Sequence, residues 1–350
     1  MAIRARARKR KVAAKGQTSA RAPIDRLRKK SSGFERDREI AEAVERAMVA
    51  EGKLCTTAGG DLYYFHQTEA KLYLLPSTEL AAHIYLRFGV NRAERLFAYV
   101  ENHLEARARQ HGQRSEVYRL AHYDIPRGIL YVHNLGQEVY RLHGSKIEKV
   151  PNGTDGVLFI AQPWPEPFAA EPPKDLLGPL LIERPNFDGA GSLTVQDYRA
   201  LLCVWLLSLF FESLLPTKPL LLCVGPQGSG KGATMRMVGV LLFGRDFEVT
   251  ALRRDKEDAF DSAICHNHFV VFDNVDAKIS WLEDKLAVTA TGHAIRLRRL
   301  YTTNEEALYW PRCFIALTSR TPQFRRPDVA DRLLILSMAQ RSMFAPSPCS

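Results

Sequence analysis

The sequence predicts an α/β chain whose carboxy-terminal half is a parallel sheet carrying a phosphate-binding loop, preceded by a mixed α+β domain and a disordered basic tail. Three observations carry that expectation. An unbroken apolar run, LLLCV (Leu220–Val224), leads straight into the glycine-rich stretch GPQGSGKGAT, residues 225–234, and strands buried on both faces of a parallel sheet read this way. Two further apolar runs end in polar residues, FVVF at Asp273 and CFIALT at Ser319. The first thirty residues hold twelve Lys and Arg against one acid, Asp25; that net +11, out of +10 for the chain, leaves the remainder at −1.

The basicity is therefore a tail, residues 1–33. A block such as RARARKRK has too little apolar content to fold, and it reads either as a solvated arm or as an electrostatic contact to nucleic acid. Residues 34–162 form the mixed α+β domain. FERDREIAEAVERAMVAEG places Ile40, Val44 and Met48 at i, i+4 spacing and ends in Gly52, an amphipathic helix. DLYYFHQTEAKLYLL reads as a hairpin turning around residues 67–70, STELAAHIYLRFG and RAERLFAYVENHLEARARQ as a helical pair, and residues 128–159 as three or four strands. Tyr63, Tyr64, Phe65 and Tyr73 are either cross-strand packing partners or a base-stacking surface. Residues 163–185 hold seven of the nineteen prolines, so 163–190 is a linker or strap. The second domain spans 191–340, and 341–350 is a patternless tail. Its apolar run ALLCVWLLSLFF is twelve residues long, short of the roughly 20 that span a bilayer, and reads as a buried helix. Six cysteines without a C-x-x-C pair imply neither zinc nor disulfides, which suits a reducing cytoplasm.

The chemistry concentrates in the glycine loop. Gly225, Pro226, Gln227, Gly228, Ser229, Gly230, Lys231, Gly232 and Ala233 follow G-x-x-x-x-G-K, in which backbone N–H groups cradle phosphates and the lysine reaches the terminal ones. The expected cofactors are ATP and Mg²⁺. The pattern's last position, a Ser or Thr that holds the cation, is Gly232 here. Thr234 cannot replace it, because two residues turn a helix by about 200°. Asp273 then becomes the metal-holding carboxylate, acting through water, since Mg²⁺ keeps several waters and takes only one or two carboxylates. Asn274 stands where ATPases of this kind place Glu, and Asp276 is either the base that orients an attacking water or a solvated turn residue. The order of loop, Asp273 strand and Ser319 strand is that of an additional-strand, AAA+-like P-loop NTPase.

Residues 195–340 resemble superfamily 3 helicases, above all the primase-helicase ATPases of viruses, phages and integrated elements. Thr318, Ser319, Pro322, Asp328 and Arg332 match the family's motif after the third strand, and ATGHAIRLRRLYTTNEEALYWP resembles its preceding stretch. The resemblance implies a ring-forming homo-oligomer, a polar sensor at Ser319, and Arg332 as a finger acting on a neighbour's nucleotide. The chain departs from the family at Gly232, at Arg320 in place of the sensor Asn, and at the acidic TTNEE tip. Arg296, Arg298 and Arg299 lie on a strand that either meets nucleic acid phosphate or faces solvent.

The leading expectation is an oligomeric ATPase of the DNA helicase type from a phage or mobile-element replication module, cytoplasmic and without a membrane span. Two alternatives stand beside it. A small-molecule kinase also writes G-K-G in this loop, and a DNA-bound nucleotide switch would suit Asn274.

Overall fold

Residues 21–29, 33–134, 137–160, 178–276, 279–298, 306–321, 324 and 326–340 are described by the computed structural model. They divide into two compact units, one of Met1–Tyr118 with Pro151–Ala161, the other of Arg119–Val150 with Gln162–Ser350.

In the first unit, helix α1 (21–29) turns Ile24 inward to 1% exposure, although the tail was expected to be disordered through residue 33. Its single buried apolar side chain adds to a hydrophobic core, which the charge count does not register. Residues 1–20 lie outside the described residues, so the expectation for them stands without a structural account. Helix α2 (Phe34–Glu51) buries Ile40, Val44 and Met48, as its spacing requires. Strands β1 (Gly52–Thr56), β2 (Leu62–His66) and β3 (Lys71–Leu75) pair antiparallel, with His66 opposite Lys71 at the expected turn. Helix α3 (Thr78–Phe88) starts at Ser77, whose hydroxyl accepts the Leu80 N–H at 3.1 Å, and ends at Gly89 in the left-handed conformation. Helix α4 (Arg95–His111) packs Leu96, Val100 and Leu104 into the same core. Strand β4 (Gln113–Arg114) adds to β1 in parallel, and β5 (Val117–Tyr118) closes the segment.

The second unit opens with a four-stranded antiparallel sheet, β6 (Ala121–Asp124), β7 (Ile129–Asn134), β8 (Glu138–His143) and β9 (Lys146–Pro151). The sequence reading grouped these strands with the amino-terminal domain. The difference has a packing cause: Leu120 and Ala121 enter the core of Trp205, Leu206 and Leu221, and Ser213 Oγ donates to the Tyr123 carbonyl at 2.7 Å. Strand β10 (Leu158–Phe159) returns to the first unit and pairs with β5. The proline-rich stretch falls largely on residues 161–177, outside the described residues.

Helix α5 (Val195–Ser208) begins in a reciprocal cap between Thr194 and Asp197. It buries Leu202, Trp205 and Leu206 but leaves Val204 and Leu207 at 65% and 52% exposure, so the run expected to be wholly buried has one open face. There follow β11 (Leu220–Val224), α6 (Lys231–Phe243), β12 (Thr250–Ala251), α7 (Glu257–His266), β13 (Phe269–Asp273), α8 (Leu282–Thr291), the hairpin β14 (Ile295–Arg298) with β15 (Glu306–Tyr309), β16 (Phe314–Ser319), α9 (Pro327–Ala330) and β17 (Leu333–Ser337). Five of these strands form one parallel sheet in the order β12-β13-β16-β11-β17. Strand β16 thus lies between the strand that feeds the glycine loop and the strand that ends at Asp273. All the carboxyl ends open on one edge, where ligands of parallel sheets bind. Just past β17, Met338 bridges Phe187, and its N–H donates to the Val224 carbonyl at 2.7 Å. Among the described residues, no helix is long and apolar enough to cross a membrane.

Candidate functional site

Strand β11 is central and almost fully buried, so the chain leaves it at a fixed point. Gly228 and Gly230 then adopt φ of 79° and 85°, left-handed values that let the backbone curl back before α6 starts. Helix α6 has no side-chain cap at Gly230, so its first N–H groups stay available and its positive end faces the loop. Lys231, only 9% exposed, folds its Nζ onto the loop's own acceptors, donating to Gly225 O at 2.6 Å, Pro226 O at 2.8 Å and Ser229 Oγ at 3.3 Å. Thr234 donates to Gly230 O at 3.0 Å and serves the helix, as its angular position requires.

Two strands away, Asp273 ends β13. Its Oδ1 accepts the Thr318 hydroxyl, and Thr318 Oγ1 in turn accepts the Asn274 N–H at 3.1 Å. Asn274 has φ 54°, a left-handed value that Asn tolerates better than most residues and Glu does not favour. Asp276 is more heavily engaged. Its Oδ1 accepts Ser319 Oγ at 2.8 Å and the Arg320 N–H at 2.6 Å, and its Oδ2 accepts Arg320 Nε at 2.8 Å. Burial alone would raise the Asp276 carboxyl, but the Arg320 N–H, the Ser319 hydroxyl and the Arg320 guanidinium together hold it below the usual carboxylate value.

Gln227, Gly228, Gly230, Lys231, Gly232, Asp273, Asn274, Asp276 and Arg320 line one cavity of about 640 Å³. It gathers a glycine loop, a buried lysine, a carboxylate and an exposed guanidinium around a volume that fits a small polyanion. Cys223, just below, has its thiol pushed up to about 12 by burial and remains a neutral packing group.

The structure therefore brings together Lys231, Asp273, Asp276 and, behind them, Ser319. Arg332 lies elsewhere. It precedes β17, and its carbonyl accepts the Leu220 N–H at 2.9 Å, at the opposite end of β11 from the loop. Five strand residues separate the two ends, roughly 15 Å. Nor does Arg332 pair with Asp328 as an i, i+4 contact would suggest, because Arg326 holds that carboxylate with Nε at 3.0 Å and a second nitrogen at 2.7 Å. Arg296 and Arg298 fall on the β14–β15 hairpin, opposite Leu308 and Glu306. Arg299, residues 302–305 of the TTNEE stretch and Pro322 lie outside the described residues. Sequence reasoning placed Thr318 in the motif after the third strand and Arg320 at the sensor Asn position, but gave neither the contact it makes here, Thr318 with Asp273 and Arg320 with Asp276.

Residues 188–344 match the sequence model of a family described as actinomycete integrative conjugative element replication protein. No curated protein matches the chain. Among solved structures, the apo structure of the NrS-1 C-terminal region (305–718) is 12% identical, with a TM-score of 0.46 over 84% of this chain and 61% of that one. An A-form apo structure of the same region gives 12% identity and 0.45 over 85% and 60%. The chain spans about three-fifths of the length of these structures. Over the segment that carries the glycine loop, Asp273, Ser319 and Arg332, the chain is similar to the replication proteins of a mobile element.

Proposed function

We propose that the second unit is the P-loop ATPase of a replication protein from a mobile element, working as a homo-oligomer on nucleic acid. One observation carries the reading: Lys231, at the start of α6, and Asp273, at the end of β13, face one cavity across an interposed β16. That is the arrangement in which a loop binds phosphates while a carboxylate two strands away handles the cation. ATP and Mg²⁺ are the ligands this donor set suits. Among the described residues only Thr318 donates to Asp273, on Oδ1. The cation would shield charge between phosphates; Lys231 exchanges the loop carbonyls for phosphate oxygens, and the α6 amino terminus binds the anion. Asp276 holds Arg320 against the cavity, and Ser319 fixes Asp276 from behind.

Arg332, remote from its own loop, serves a neighbour's site in this reading. The nucleic acid contact is the basic segment ahead of α1, with Arg296 and Arg298 as further candidates. Because Ile24 belongs to the first core, the arm to remove is residues 1–20, which carry +7. Every phosphate that the shortened chain no longer neutralises should take about 0.9 from the log–log slope of affinity against salt.

Phosphate release from ATP, measured with and without single-stranded DNA, tests the whole reading. Stimulation by DNA supports it, and a dependence on a nucleoside monophosphate acceptor would replace it with a kinase. A nucleotide switch with slow turnover is the second reading, favoured by the three donors that occupy Asp276; it predicts tight binding and no DNA-stimulated release.

A further inference from the structure

Gly232 breaks the phosphate-loop pattern at the position whose hydroxyl would hold the cation, and a specific neighbour stands against it. A Cβ built on Gly232 would lie 3.3 Å from both Asp273 carboxylate oxygens and 3.5 Å from its Cγ. The carboxylate therefore reaches the first turn of α6, where a Ser or Thr side chain would project. Thr318 fixes it there. The Thr318 side chain is fully buried, its hydroxyl donates to Asp273 Oδ1, its Oγ1 accepts the Asn274 N–H at 3.1 Å, and its carbonyl accepts the Val275 N–H at 2.9 Å. These contacts leave the hydroxyl one acceptor to serve, Asp273, and so set which carboxylate oxygen stays open.

We propose that Asp273 takes over the place of the missing hydroxyl and binds the nucleotide's divalent cation directly, with Gly232 supplying the room and Thr318 the aim. The proposal rests on the nucleotide-site reading above and replaces the water-mediated contact expected of Asp273. A carboxylate in that place suits a hard cation, which takes one or two carboxylates alongside phosphate oxygens. It also explains why the chain tolerates glycine here: a β-carbon would press the carboxylate back by a few tenths of an ångström.

The test reads ADP affinity of the full chain by calorimetry in EDTA, in Mg²⁺ and in Cd²⁺. In Gly232→Ala, affinity in EDTA should match wild type while the gain conferred by Mg²⁺ falls about tenfold, the scale on which partners that orient metal ligands act. Thr318→Val should lose a similar share and Thr318→Ser should recover it. Asp273→Cys should lose the Mg²⁺ gain while keeping or exceeding the gain that wild type has from Cd²⁺, because a thiolate in direct contact selects softer cations. An undiminished Mg²⁺ gain in Gly232→Ala, or an Asp273→Cys variant that loses the Cd²⁺ gain along with the Mg²⁺ gain, overturns the proposal. Failure of the nucleotide reading looks different: wild type then binds no ADP in any of the three conditions, or Lys231→Ala binds it as wild type does.

Discussion

Each unit of the chain gathers polar side chains, and the two gatherings are built on opposite terms. In the first unit, Tyr64 donates to Met48 O at 2.9 Å, and Tyr73 donates to Glu69 Oε2 at 2.9 Å. His66 Nδ1 accepts the Glu69 N–H at 3.2 Å, His66 Nε2 lies 3.3 Å from Glu51, and Arg87 pairs with the same glutamate. The two tyrosine hydroxyls are spent within the unit, while His66 Nε2 and Glu51 Oε2 are buried without a hydrogen-bond partner and meet only at ion-pair distance; Tyr64 is fully buried and stacks on Tyr73 at 6.3 Å. In the second unit, Lys231, Asp273 and Arg320 surround open volume. Clustered histidines, tyrosines and carboxylates do not by themselves make a site. Side chains that border open volume mark the candidate site: Lys231 rests on the loop's own acceptors and Arg320 on Asp276, both at the edge of the cavity.

The sharpest way to break this contrast is Lys231→Ala. It should abolish binding of both ATP and ADP, a loss of at least ~100-fold, the scale of several charge-assisted hydrogen bonds; titration calorimetry reads it directly. Arg332→Ala comes next. It should bind ATP as wild type does while hydrolysis falls about 10³-fold, as loss of a finger acting across an interface does. Mixing it with Lys231→Ala should restore part of the rate, and co-assembly without rescue would make the cavity complete within one chain.

Acid should then weaken both units. His268, held neutral by burial and near 4, lies 2.8 Å from Leu209 O through Nε2, and burial likewise takes His83 to about 4. Because the unfolded chain takes up these protons from about pH 6.5 downward, stability present above that pH is lost as pH falls toward 4. For His268 alone the loss between pH 6.5 and 5 is about 2 kcal/mol, and denaturant melts of wild type and His268→Phe measure it by the slope that the variant lacks. The smallest effect belongs to Tyr73→Phe, about 1 kcal/mol of stability for one hydrogen bond, with ADP affinity unchanged. A shift in ADP affinity there would tie the first cluster to function and end the contrast.

The loop, its strand and its helix were legible because one continuous segment encodes them: an apolar run, two glycines at left-handed positions, and Lys231 opening α6. The hairpin at 67–70 and the helices after it were legible for the same local reason. Asp273's environment was not, since Thr318 is 45 residues away and reaches it only because β16 inserts beside β13. The engagement of Asp276 by Arg320, 44 residues on, was hidden likewise. Composition marked residues 21–29 as tail because it counts charges and cannot see one isoleucine entering a core. Strands β6 to β9 were assigned by proximity in sequence, whereas Leu120 and Ala121 chose their neighbours by packing.

The bridge between Phe187 and Met338 sets a timetable for synthesis. The Met338 N–H reaches Val224, the Asp188 N–H reaches Ser337 at 2.9 Å, and the Ala339 N–H reaches Asn186 at 2.8 Å, so the seat beneath the glycine loop is laced from segments more than a hundred residues apart. During translation β11 emerges about ninety residues before β16 and more than a hundred before β17, its two neighbours, and until then both its edges are unpaired, a state prone to pairing with foreign strands. The Val224 carbonyl gains its Met338 partner only after residue 338 has left the ribosome, so the strand that feeds the glycine loop is anchored at that end long after it is made.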